Sequence, residues 1–397
     1  MKKHITFALL FAAALTAQAQ QGGISGEMLN QIKQSYKATP ADKAIRNALG
    51  GTSINTLALN QENRADFDTE FSHKVLSKGI TDQQSSGRCW LFTGLNVLRS
   101  QMIAKYGLDE MEFSQNYCFF YDQLEKANLF LQGIIDTSGK PMNDKMVEWL
   151  FKHPLSDGGQ FTGVSDIIEK YGLVPKSAMV ETFSSENTGK MSSLIGLKLK
   201  EFALQLREAA ATGAKPVELE KKKTEMLGTV YRMLVLTLGE PVSTFTWSLK
   251  GGEAKEYTPV SFYKEFLGND LTNNYVMLMN DPSREFYKCY EIDFDRHRYD
   301  GKNWTYVNLP IEDIKEIAIA SIKDSTMMYF SCDVGKFLDS KRGLLDPDNY
   351  DYESLMGTTF GMDKKQRIQT FSSGSSHAMT LMAVDLDKAG KPKKWMV

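Results

Sequence analysis

The stretch Gln83-Gln84-Ser85-Ser86-Gly87-Arg88-Cys89-Trp90 decides the reading of this 397-residue chain. Beyond Trp90, Leu91, Phe92, Leu95, Leu98 and Met102 share one face at helical spacing, which predicts a helix opening at Cys89. Ser85, Ser86 and Gly87 form a small-residue turn suited to capping that helix and to letting another chain approach the backbone. A thiol in the first turn of a helix sits at the positive end of the helix dipole, which favours thiolate over thiol. Gln83, six residues before Cys89, is a neutral donor placed to reach back toward the sulfur. On composition alone, a cysteine ahead of an apolar helix is a small core residue. The Gln83 spacing, the turn and a distant histidine reverse that reading.

A nucleophilic thiolate near neutral pH needs a cationic partner, usually an imidazolium. The chain has five histidines. His4 lies in an apolar leader, His73 in a polar stretch before the loop, His153 before Pro154, and His297 in the charged run from Asp293 to Asp300. His377 differs. It follows the turn Ser372-Ser373-Gly374-Ser375-Ser376 and opens the apolar segment from Ala378 to Val384, which reads as a buried strand. A histidine at a strand start beside a glycine turn is well placed to face a cleft.

Ser86-Gly87-Arg88-Cys89-Trp90 resembles the nucleophile motif of papain-like cysteine proteases, and His377-Ala378-Met379 resembles their histidine motif. The Ser-Ser-Gly-Arg variant is similar to the bleomycin hydrolase or aminopeptidase C branch. So are Ser156-Asp157-Gly158-Gly159-Gln160-Phe161, Tyr171 to Lys176, Val307 to Pro310 and Cys332-Asp333-Val334-Gly335-Lys336, and the likeness runs from about Ile24 to the last residue. The resemblance implies an α+β fold, papain-like and two-lobed, with a helical lobe, a β-rich lobe and helical insertions. It implies a cysteine-type aminopeptidase that hydrolyses N-terminal residues from peptides through a thioester. Cys89 is then the nucleophile, His377 the acid and base, and Gln83 with the Cys89 N–H the oxyanion donors. Asp157, Gly158 and Gly159 line the substrate cleft, with glycine backbone pairing to extended peptide. A homohexamer with active sites facing an internal cavity is implied as well. Ser86 stands where the papain motif has a second cysteine, so that disulfide cannot form. The family's orienting asparagine follows a Lys-Trp-x-Val strand, and this chain stops at Lys394-Trp395-Met396-Val397. It is therefore expected to be a fragment that ends before the asparagine and the C-terminal arm.

Composition fits a soluble globular enzyme, with 42% hydrophobic and 24% charged residues. Lys2, Lys3, the apolar run Ile5 to Ala17 and Ala17-Gln18-Ala19 read as a secretory signal over residues 1–19, giving an exported periplasmic or secreted protein that leaves the membrane after cleavage. Losing Lys2 and Lys3 leaves 45 basic against 49 acidic side chains, a formal −4 that argues against nucleic-acid affinity. Cys118 and Cys332 read as buried apolar residues, while Cys289 fits either a buried or an exposed site. No His-Glu-x-x-His pair or close Cys/His cluster occurs, so neither a metal nor another cofactor is expected.

The chain reads as one peptidase domain over 20–397, with a helical insertion at about 183–256 and a β-rich lobe at about 257–397. Cys89 and His377 stand 288 residues apart, against about 130–150 for papain itself, which supports the insertion. Thr39-Pro40 reads as a helix start, Gly189 to Leu238 as long helices and Ile311 to Lys323 as a helix between strands. Two other classes share these residues: a Cys-His acyl or amine transferase, and a non-catalytic assembly protein that keeps the scaffold. Preference for a free α-amino peptide over an acyl donor separates the first, and indifference to Cys89→Ser marks the second.

Overall fold

A computed structural model describes residues 22–63 and 68–397, so the expected signal at 1–19 lies outside the described residues. The chain divides into two compact units. The smaller joins 22–63 to 339–360, and the larger joins 68–338 to 361–397.

In the smaller unit, α1 (Gly26–Ser35), α2 (Pro40–Leu49) and α3 (Ile54–Ala58) follow one another. α2 begins where its sequence predicts. Thr39 and Asp42 form a reciprocal capping box, and Pro40 sits in the first turn, where a missing N–H costs no helical bond. After α3, Leu59 bridges antiparallel to Tyr350, and the Asn60 N–H donates to the Asn349 carbonyl at 2.9 Å.

The larger unit opens with β1 (His73–Lys74), α4 (Cys89–Tyr106), α5 (Gln115–Asp136), α6 (Lys145–Lys152) and α7 (Phe161–Tyr171). The long helices α8 (Thr188–Ala211) and α9 (Pro216–Leu238) pack on α5 and on each other. A hairpin of β2 (Phe245–Trp247) and β3 (Lys255–Tyr257) leads into α10 (Pro259–Phe266), so the region expected to be β-rich from 257 starts with a helix. Thr258 caps it and Pro259 begins it, local signals that outweigh the strand-like text around them. There follow β4 (Leu278–Met279), β5 (Lys288–Glu291), β6 (Thr305–Asn308) and α11 (Ile311–Lys323), the last with the bounds the sequence predicts. β7 (Met328–Cys332), β8 (His377–Leu381), β9 (Ala383–Leu386) and β10 (Pro392–Met396) complete the unit.

α4 positions everything that follows. The sequence predicts one apolar face, but the helix is buried all round, as an apolar helix in the centre of a fold must be. Trp90, Leu91, Leu95 and Leu98 join the large core of the helices, while Val97 joins a second core with Val75, Ile322, Leu381 and Val384. Cys89 thus opens a helix held between a helical and a β-rich core. At Gly94 a Cβ would lie within 3.0 Å of Val164, so only glycine lets α4 and α7 approach this closely. The run from Ala378 to Val384 is two strands rather than one. β8 pairs with β7 as far as Leu381; then Met382 donates to Met396 and accepts from Val75, and β9 continues between β1 and β10. No helix among the described residues is long and apolar enough to cross a membrane.

Candidate active site

Cys89 is half-buried as the first residue of α4. The serines before it do not cap the helix, because Arg88 occupies the N-cap position and makes no side-chain cap bond. Ser86 instead closes the loop on itself: its hydroxyl donates to the Gln83 carbonyl at 2.6 Å and accepts from Arg88 Nε at 3.1 Å. Gln83 Nε2 donates to the Ser86 carbonyl at 2.5 Å, which engages one N–H of its amide and leaves the other. Gln84 takes a left-handed backbone at φ 54°, the sharp point of this turn.

Two partners clamp the loop from outside. The Gly87 N–H donates to Asp157 Oδ2 at 2.7 Å, and a Cβ at Gly87 would lie within 3.0 Å of that carboxylate. Thr188, the first residue of α8, donates to the same oxygen at 2.5 Å, and Trp90 Nε1 donates to the Asp157 carbonyl at 2.8 Å. The Asp157 carboxylate is therefore turned into the loop before Cys89. The Arg88 side chain is fully buried, ion-paired to Glu181 at 2.8 Å and stacked over the Phe92 and Phe119 rings at 5.0 and 5.3 Å. Ser185 donates to the same Glu181 oxygen at 2.5 Å. Burial lowers the Arg88 pKa and the Glu181 charge opposes that shift; a guanidinium stays charged throughout.

His377 begins β8 and is half-buried, and burial alone lowers its imidazole below the ordinary value. β8 and β7 both pack against α4, so the structure brings the elements that carry Cys89 and His377 together. Tyr329 of β7 lies within electrostatic reach of the thiol: burial raises its phenol first, and charge on Cys89 raises it further. In the β7–β8 ladder Cys332 stands opposite His377 and is only half-buried, not the core residue its apolar neighbours predict. The ladder places it at the sheet's end, where the core no longer covers it. Cys118 is fully buried, as expected, and Cys289 is exposed; all four cysteines are free thiols.

The largest omission of the sequence reading is His297. Within a charged run it looks solvated, yet it is 3% exposed, with Nδ1 2.5 Å from Asp122 Oδ1. The partner lies 175 residues away in sequence, and no local pattern announces it. Its ring meets Trp90, the residue after Cys89, edge-on, with centroids 4.7 Å apart. Among the described residues no three His, Cys, Asp or Glu side chains are grouped to hold a metal ion.

Comparison with known proteins gives consistent matches. The profile of the Peptidase C1-like family matches residues 23–397. Aminopeptidase C of Listeria monocytogenes is 34% identical over 384 residues, spanning 95% of this chain and 86% of that protein. Bleomycin hydrolase of Homo sapiens is 33% identical over 94% of this chain and 86% of its own length. The crystal structure of PepW from Lactobacillus rhamnosis superposes with a TM-score of 0.88 at 34% identity, covering 94% of this chain and 85% of the other.

Proposed function

The chain belongs to the Peptidase C1-like family and is a cysteine aminopeptidase similar to aminopeptidase C and bleomycin hydrolase, and we propose that Cys89, His377 and Gln83 carry its reaction. The observation that supports this most is the packing of α4, which opens with Cys89, directly against β8, which opens with His377. The Cys89 thiolate attacks the scissile carbonyl carbon, and the oxygen gains negative charge. As the first residue of a helix, Cys89 has an N–H that helical geometry leaves without an acceptor; with the free Gln83 N–H it holds that oxygen. His377 gives its proton to the leaving amine as the C–N bond breaks, leaving a thioester on Cys89. The neutral imidazole then takes a proton from water, which attacks the thioester and releases the new carboxylate and the thiolate. Gly158 and Gly159 line the cleft, with Gly159 meeting the substrate through backbone, because the Gly158 N–H donates to Ser156 Oγ at 3.1 Å and its carbonyl accepts from Lys126 at 2.7 Å. Asp157 supports this from behind, since its carboxylate holds Gly87 and Thr188.

Burial disfavours the protonated form of His377, so an imidazolium there requires an opposing charge, which the proposed mechanism supplies as the Cys89 thiolate. Site-mapped alkylation under reducing conditions across roughly pH 5–9, around a free thiol value near 8.5, checks this pair. Cys89 is expected to label fast at the acid end in the native sequence and to lose that labelling in His377→Ala. Labelling that rises only above about pH 8 in both proteins would remove the assignment.

The same reading includes export and self-association. The leader supports export, and a mature N-terminus at Gln20 checks it. Leu194, Leu197 and Leu204 are exposed along one stripe of α8, which supports a homo-oligomer, a hexamer on the family resemblance. Leu197→Glu is expected to lower the mass seen by sedimentation. A wild-type monomer would remove this part of the reading.

A further inference from the structure

Three consecutive carbonyl groups of the loop before α7 are held by side chains from beneath. Lys126 Nζ donates to the Ser156 carbonyl at 3.0 Å and to the Gly158 carbonyl at 2.7 Å. Trp90 Nε1 takes the Asp157 carbonyl between them at 2.8 Å, and Gln123 Nε2 adds a second bond to Ser156 at 2.9 Å. The third N–H of Lys126 goes to Asp122 Oδ2 at 2.8 Å, so the ammonium is fully satisfied. The other Asp122 oxygen meets His297 Nδ1 at 2.5 Å. Asp122 is fully buried, the Lys126 side chain is 10% exposed, and both come from one turn of α5.

The His297 ring closes the arrangement. A Cβ at Gly159 or at Gly163 would lie within 3.0 Å of its Cε1 and Nε2 atoms, so the loop and the first turn of α7 are seated on the imidazole. Trp90 leans on the same ring, and Lys126 Nζ lies 5.2 Å over the Trp90 ring. Burial and the Lys126 charge both lower the His297 pKa, which favours a neutral ring with its Nδ1 proton on Asp122. A buried ammonium whose donors all meet loop carbonyls or a buried carboxylate is costly unless each bond is made, which restricts the loop to one conformation.

We propose that Asp122, Lys126 and His297 form a positioning network that fixes the backbone of Ser156 to Gly159 and so sets how the peptide lies against Cys89. The network touches neither substrate nor thiol; it acts through the loop. This rests on the reading that Gly158 and Gly159 line the substrate cleft.

The test compares two reagents on Cys89 of the full chain. Iodoacetamide needs only the thiolate, whereas an aminoacyl chloromethyl ketone with a free amino group must also be aligned by the cleft. Lys126→Gln and His297→Gln are expected to slow the aminoacyl reagent by roughly tenfold or more, the scale of a small misplacement, and to raise KM more than they lower kcat. Their iodoacetamide rates should stay within about twofold of wild type. Equal slowing with both reagents would show that the network supports the nucleophile or the fold, and would overturn the proposal. Unchanged rates with both reagents, in variants whose near-UV circular dichroism is native, would overturn it as well. Failure of the underlying reading looks different: wild-type Cys89 would then gain no rate from the aminoacyl reagent over iodoacetamide, before any substitution is made.

Discussion

Gln83 has one amide N–H on the Ser86 carbonyl at 2.5 Å, and the proposed mechanism assigns the second to the developing oxyanion. Gln83→Ala removes both. It is expected to lower kcat by roughly 10²–10³ while KM changes little, since the interaction forms only in the transition state. Gln83→Glu keeps the shape but presents an acceptor, so it should be no better than alanine. A glutamate variant with near-native kcat would dismiss the oxyanion role. Single-turnover and steady-state rates with an aminoacyl amide separate the two parameters. The residue types of this step are legible in the sequence, because a helix opened by cysteine and a strand opened by histidine carry their own periodicity. The geometry is not. That Asp157 turns its carboxylate to Gly87 and Thr188 depends on contacts 70 and 31 residues apart, which no spacing rule reaches. Arg88 gives the same lesson: nothing in the polar loop around it announces that its side chain is fully buried against Glu181.

Among the elements, α4 is tightly constrained, and Gly94 is where it is felt. A methyl group there would lie within 3.0 Å of both Val164 methyls, on a helix face with no open space. Gly94→Ala gains helix propensity, about 1 kcal/mol, but overpacking typically costs about 1–3 kcal/mol, so a net loss of stability is expected. Val164→Ala in the same chain should return part of that loss, and a double-mutant cycle by urea unfolding measures the coupling. Additive effects would mean that α4 and α7 separate without penalty. Helix periodicity and caps make α2, α4, α8, α9 and α11 visible in sequence, because those signals are local. The passage of Ala378 to Val384 through two sheets is not visible. An apolar run keeps the same text whether one partner strand or two flank it, and only the Met382 bonds to Met396 and Val75 show the switch. The all-round burial of α4 is hidden for a related reason: Thr93, Gly94 and Ser100 look solvent-facing, yet neighbouring elements cover them.

At the scale of the whole chain, pH stability follows from a few buried groups rather than from the formal charge of −2. Asp166 on α7 is 5% exposed, and burial raises its carboxyl from 3.8 to about 6 against the opposing pull of Arg298. The native state therefore holds this proton more tightly than the unfolded chain. Its stabilising contribution is complete below the unfolded value and is lost as pH rises through about 6. Two units correspond to about 3 kcal/mol at most. His297 has the opposite sign: its folded value is lowered, so its contribution is present above the ordinary histidine range and is lost as pH falls. Asp166→Asn removes the first slope and keeps the second. Its 3.3 Å contact with Arg298 is long, and Arg298 also has Asp300 at 3.6 Å, so the loss of that pair is partly covered. The wild-type urea midpoint is expected to fall between pH 5 and 7.5 relative to that of the Asp166→Asn variant at equal ionic strength. All five tryptophans lie in 68–338 and 361–397, so their fluorescence reports the unit that contains Asp166. If the two midpoints keep a constant difference over this range, the Asp166 carboxylate is not what titrates, and the slope must come from other groups.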